Sequence, residues 1–130
     1  MKGNTPRGHD HRARWFEMFD TCTSNTGTLE TGLTGTYFGG AELQGPGYLM
    51  EISTAVAETR GMMIFEDSLV LCRFNGRMNL VLESEAVSTA TGWGFSSEEA
   101  KKAGLRAVNL MRAFNIKAGM WRLGNRFRRL

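Results

Sequence analysis

The run Ser96-Ser-Glu-Glu99 and the sixteen residues after it constrain this chain more than any other stretch. Ser96 can accept a hydrogen bond from the amide of Glu99 while the Glu99 carboxylate reaches back to the Ser96 amide. That reciprocal pair starts a helix. Glu98 and Lys102 add an ion pair one turn apart, in the favourable order. Ala100, Ala103, Ala107, Leu110, Met111 and Phe114 then recur at helical spacing, so the pattern predicts a helix from Ser96 to Asn115 with one apolar stripe. Leu105 and Val108 fall off that stripe, which predicts burial on more than one side. Gly119 lies just beyond its end.

A helix of that length must bury its stripe against other elements, and the rest of the chain offers mostly helices. Trp15, Phe16, Met18 and Phe19 form an apolar patch on a short helix ending near Asp20. Leu49, Ile52 and Val56 place a second between Tyr48 and Arg60, with Gly61 positioned to end it. Met62 to Phe74 is apolar apart from Glu66, Asp67 and Ser68, and reads as a buried helix beginning near Asp67, whose carboxylate would cap the next turn. Leu80 to Ala90 is a further helix stopped at Gly92. The expected fold is therefore mainly α, a single domain of about four helices. One long segment resists this reading: Thr21 to Gly47 is dominated by Thr, Ser, Asn and Gly, with no helical or strand period. Loops this long inside compact domains generally serve a site or await a partner, and repeated glycine lets backbone approach a ligand closely.

Charge and composition narrow the function classes. Apolar residues make up 42% and charged residues 22%, a globular balance. No apolar run approaches the ~20 residues of a membrane span, and the polar, basic start lacks a secretory signal, so a cytoplasmic protein is expected. Two cysteines, Cys22 and Cys72, do not make a disulfide framework. The net charge of +3 is unevenly spread: all 13 acidic residues precede position 101, and 9 of the 16 basic ones follow position 100. A basic helix end that complements the macrodipole and pairs with the acidic remainder of the chain, or with another subunit, accounts for this more simply than nucleic-acid binding.

No phosphate-cradling Gly-Lys-Ser/Thr loop, His-Glu-x-x-His pair or four-ligand Cys/His set is present. His9 and His11 flank Asp10 without a further ligand cluster, and read as surface residues. Cys72 alone would read as a small buried hydrophobe, and Glu30 as a solvated loop carboxylate.

Several local patterns taken in order change that reading. Lys2-Gly3 is followed by Asp10 and Arg12; Asp67-Ser-Leu-Val-Leu-Cys72 follows; then Thr91-Gly-Trp-Gly, Glu98-Glu99, Gly104-Leu-Arg106, Asn109-Leu-Met-Arg112-Ala-Phe-Asn115 and Gly119. In this order the chain resembles the C-terminal part of the tungsten-dependent aldehyde ferredoxin oxidoreductase family. It looks closest to the branch containing the catalytic subunit of ATP-independent benzoyl-CoA reductase. In that family the motif aspartate contacts one of two metal-binding pterins, and the motif cysteine gives one thiolate to a 4Fe–4S cluster. The resemblance thus implies pterin contacts from Asp67 and Leu71 and an iron ligand in Cys72. It also places Glu30 where a loop approaches the tungsten or molybdenum, as a desolvated proton relay. Val70 stands where the motif usually has glycine.

The resemblance implies that the pterin-binding sheet domain, with three further cysteines, is absent from residues 1–130. The expected partner is a polypeptide carrying that domain, with a ferredoxin or other electron-transfer subunit, and no membrane or nucleic acid. The expected function is part of an anaerobic tungsten–pterin, iron–sulfur oxidoreductase acting on an aldehyde or an aromatic acyl-CoA. The competing expectation is a non-catalytic module that binds RNA or an acidic protein through its basic C-terminal region.

Overall fold

The computed structural model describes residues 12, 14–25, 30–31, 46–72 and 79–119. Among these residues five α-helices run in order: α1 Trp15–Thr23, α2 Leu49–Thr59, α3 Met62–Ser68, α4 Leu80–Thr91 and α5 Ser97–Lys117, with a 3-10 turn at Pro46–Tyr48 leading into α2. Among the described residues there is no strand, only an isolated antiparallel bridge between Thr31 and Arg60. The mainly helical, single-domain expectation holds. The basic N-terminal arm with His9 and His11, most of the Gly/Thr-rich loop and residues 120–130 lie outside the described residues.

The helix boundaries follow local chemistry. The expected capping box opens α5: the Ser96 hydroxyl accepts from the Glu99 amide at 3.3 Å, and Glu99 Oε2 accepts from the Ser96 amide at 2.8 Å. These bonds, with Lys102 nearby, hold the Glu99 carboxyl below its ordinary range. Asn79 caps α4 through its side chain, and Gly92 ends it at φ 74°. The expectation for residues 62–74 needs correction. α3 begins at Met62, directly after Gly61, and stops at Ser68, so Asp67 lies in its last turn and not at its start. Gly61 adopts φ 91°, which ends α2 and re-aims the chain so that α3 starts at once.

Two small cores form among the described residues. Phe16 of α1 packs against Ile52 and Val56 of α2, with Trp15, Phe19 and Ala55 around them. Phe65, Leu80 and Ala100 join α3, α4 and α5, flanked by Met62, Leu69, Val87, Phe95 and Ala103. Phe65 and Phe95 stack with ring centroids 5.8 Å apart.

α3 is held on α5 by a glycine-to-glycine crossing. A Cβ built on Gly104 would collide with the Gly61 carbonyl oxygen and sit 2.8 Å from the Gly61 carbonyl carbon and 3.2 Å from Phe65 Cβ. A Cβ on Gly61 would lie 2.6 Å from Gly104 C and Leu105 N. Only two bare backbones can approach that closely.

The buried seam of α5 is Ala100, Gly104 and Val108, spaced four apart. Of the expected stripe Ala100 is buried and Ala103, Ala107 and Met111 are half-buried; of the two residues off it Val108 is buried and Leu105 is not. Leu110 and Phe114 are 73% and 70% exposed. α4 buries Leu80, Glu83 and Ser84 and leaves Val81 and Leu82 outside.

Candidate functional site

The three residues expected at the cofactor lie together at the C-terminal end of α3. Asp67 is exposed in its last turn, and Leu71 and Cys72 follow it, Leu71 42% exposed and Cys72 a free, exposed thiol. The local reading of Cys72 as a buried hydrophobe is thereby overturned. The turn that presents it ends a seven-residue helix rooted in the second core through Phe65 and packed against α5.

The turn has a defined form. Val70 N–H donates to the Asp67 carbonyl at 3.0 Å and Leu71 N–H to the Glu66 carbonyl at 3.4 Å. Those two bonds, with a left-handed residue between the helix and the outgoing chain, make a Schellman stop, in which glycine usually takes the left-handed place. Here Val70 takes it, at φ 58° and 91% exposed. A β-branched residue in this conformation is strained by about 1–3 kcal/mol. The valine departs from the motif in sequence, yet the backbone keeps the shape that glycine would have given. What the valine adds is a branched side chain in the space where a ligand would approach.

Glu30 has a different setting. It is fully buried, and both carboxylate oxygens have partners. Oε1 accepts from the Asn25 amide at 2.6 Å, and Oε2 accepts from Arg60 Nη1 at 2.9 Å and from Asn25 Nδ2 at 3.4 Å. Asp20 at the end of α1 supports the same segment: its Oδ2 accepts from the amides of Glu30 and Thr31 and from the Thr31 hydroxyl. Arg60 also donates to the Thr23 hydroxyl at 2.8 Å. Asn25 Nδ2 donates to the Val108 carbonyl, and Asn115 Nδ2 to the Asn25 carbonyl, which ties the segment to α5. Asp20 Oδ1 also lies 3.6 Å from Arg60 Nη1, so Arg60 sits between two buried carboxylates, and removing Arg60 would leave both without their cation.

Glu30 and Cys72 are not brought into contact. The Glu30 carbonyl accepts from the Gly61 amide, directly before α3, whereas Cys72 follows the far end of that helix. Seven residues of helix rise about 10 Å, so the two mark opposite ends of one short rod.

Sequence reasoning missed Asp20, Asn25 and Arg60 as the partners of Glu30. Their separations of 10, 5 and 30 residues follow no local period. It also missed Glu83, which is 4% exposed with neither carboxylate oxygen hydrogen-bonded among the described residues. Burial, and then the nearby Glu66 carboxylate, push its pKa up. An acid flanked by Leu82 and Ser84 on a helix carries no signal for such a place.

As a metal site the described residues are incomplete. They contain no group of three or more His, Cys, Asp and Glu that would hold an ion. A 4Fe–4S cluster takes four thiolates, and of the two cysteines Cys72 alone lies at the end of α3; Cys22 is exposed on α1. An exposed thiol and an exposed carboxylate on one turn supply too few donors to hold such a cluster by themselves. No helix among the described residues is long and apolar enough to cross a membrane.

A family model described as aldehyde ferredoxin oxidoreductase, domains 2 & 3, matches residues 1–128. No curated protein and no solved structure matches the chain. That match spans both the Asp67–Cys72 turn and the capped helix crossing behind it, and the chain belongs to the aldehyde ferredoxin oxidoreductase family.

Proposed function

We propose that this chain forms the helical wall of a tungsten– or molybdenum–pterin, iron–sulfur oxidoreductase, of the type that acts on an aldehyde or an aromatic acyl-CoA thioester in an anaerobic cytoplasm. The pterin-binding sheet domain and the other cluster thiolates come from a partner polypeptide, and a ferredoxin or similar subunit exchanges electrons with the assembly. In this reading Cys72 gives one thiolate to the cluster, and Asp67 and the Leu71 backbone contact pterin. When bound, the pterin-held metal and the cluster supply the two-electron chemistry and the outlet for single electrons. The chain itself anchors the start of α3 on α5 by the Gly61–Gly104 crossing and its middle through Phe65, and the turn at its far end is presented from that base.

The observation that carries the proposal is the end of α3. Asp67, Leu71 and Cys72 are all exposed on a turn whose left-handed residue occupies the motif's glycine position. Glu30 takes the proton-handling role in this reading, positioned by Arg60 and Asn25. Glu30→Gln separates relay from anchor: loss of turnover in a folded assembly marks a relay, and loss of folding stability alone marks an anchor.

The test is anaerobic co-production of the chain with a polypeptide bearing the sheet domain, followed by metal analysis of the purified complex. Iron together with tungsten or molybdenum, and reduction of an aldehyde- or acyl-CoA-linked dye, support the proposal. A stable complex free of all three metals sinks it.

A further inference from the structure

The outward face of α5 lies opposite the Ala100–Gly104–Val108 seam, and its chemistry is mixed in a regular way. Phe95, Lys102, Leu105, Arg106 and Asn109, with Glu99 at one end, line a groove of about 510 Å³ on this face. Lys102 and Arg106 are exposed one turn apart, and neither is in an ion pair among the described residues. Leu105 is 42% exposed beside them, and Leu110 73% exposed a turn further on. Cations alternating with aliphatic side chains over several turns favour a ligand that is both acidic and apolar.

We infer that this face docks a helical segment of a partner protein that carries acidic residues around an apolar ridge. The ridge would bury Leu105 and Leu110, and the acids would meet Lys102 and Arg106. This inference goes beyond the proposed function: it concerns the side of α5 opposite the Ala100–Gly104–Val108 seam that meets α3, and uses none of Asp67, Leu71 or Cys72. A second copy of the chain is a poor occupant, since after Glu99 the helix bears only cations, and two such faces repel. RNA is also disfavoured: Leu105 and Leu110 offer no stacking surface, and the Phe95 ring is already stacked on Phe65.

The test uses the full chain and three fluorescent probes: an 18-residue helical peptide with leucines on one face and glutamates elsewhere, the same peptide with lysines for glutamates, and an 18-nucleotide oligouridylate. Anisotropy at physiological salt should show binding of the acidic peptide alone. Lys102→Glu with Arg106→Glu should weaken that binding at least tenfold, and Leu105→Asp should weaken it comparably, with helix content by circular dichroism unchanged because all three side chains are exposed. The inference is overturned if the acidic peptide does not bind, if its affinity is the same in both variants, if oligouridylate binds as tightly, or if sedimentation shows that the face pairs with itself. Metal content of the Cys72 edge is independent of these readings, so the two proposals fail separately.

Discussion

Gly104→Ala sets two physical effects against each other with opposite signs. Within a 21-residue helix, replacing glycine by alanine is worth about 0.8–1 kcal/mol of added stability from propensity alone. The crossing with α3 opposes this. The new methyl would meet the Gly61 carbonyl group and, at 3.2 Å, Phe65 Cβ. Two of these obstacles are backbone atoms, which cannot rotate away as a flexible side chain can. Forcing a methyl into a well-packed contact costs about 1–3 kcal/mol, occasionally more. Here α3 must also lift from α5 and loosen the Phe65, Leu80 and Ala100 core. The steric cost wins, and the variant is expected to be about 1–2 kcal/mol less stable. In urea, with a slope of about 1–3 kcal/mol per molar, the midpoint falls by roughly 0.5–1 M when followed by circular dichroism. Ala113→Gly, at an exposed position on the same helix, calibrates the propensity effect and should cost about 1 kcal/mol. A Gly104→Ala variant as stable as wild type, or more so, would refute the close crossing and with it the account of what holds α3 on α5.

Other perturbations follow from the same structure. Val70→Gly relieves a left-handed valine whose side chain is almost wholly exposed, and should stabilise the fold by about 0.5–2 kcal/mol after the entropy cost of glycine, read as a raised Tm. Glu30→Gln leaves Arg60 without its closest carboxylate in a buried network and should cost about 2–4 kcal/mol in the same denaturation assay; no change would remove the ion pair as an anchor. Glu83 has a folded-state pKa above its unfolded value, so its charged form works against folding. That penalty is absent below about 4.5 and grows as pH rises through the folded pKa. Glu83→Gln should therefore raise Tm at pH 7 and leave it nearly unchanged at pH 4. Ser96→Ala removes one half of the capping box and should cost about 1 kcal/mol, with fraying at the start of α5 visible by amide exchange.

How much of this was legible beforehand differs from element to element. The Ser96–Glu99 box and Gly92 after α4 are local chemistry, acting over three or four residues, and both appeared where expected; the Asn79 cap before α4 is equally local but was not read from the sequence. The start of α3 was misplaced because Asp67 looked like a cap, whereas the deciding residue was Gly61, whose left-handed turn lets a new helix begin one residue later. On α5 the burial of Ala100 and Val108 was legible, but Gly104 at the centre of the seam and the exposure of Leu110 and Phe114 were not, because hydrophobic periodicity weighs side-chain size, while this crossing is set by the absence of a side chain at Gly104. The candidate cofactor residues were found from an ordered motif, and their exposure at the end of α3 is compatible with the role the motif implies. A sulfur packed into a sealed interior would have argued against it. The partners of Glu30 could not be read in advance, since Asp20, Asn25 and Arg60 meet it only once α1 and α2 are packed.

The central claim is that the Cys72 thiol closes a metal site furnished mostly by another polypeptide. It is tested most directly by counting iron in the anaerobically purified complex made with wild type, Cys72→Ser or Cys22→Ser chain, alongside the low-temperature paramagnetic resonance signal of the reduced cluster. The account predicts that wild type and Cys22→Ser carry the same iron and the same signal, and that Cys72→Ser loses or visibly alters both while the complex still assembles. Equal iron with an unaltered signal in the Cys72→Ser complex would contradict it.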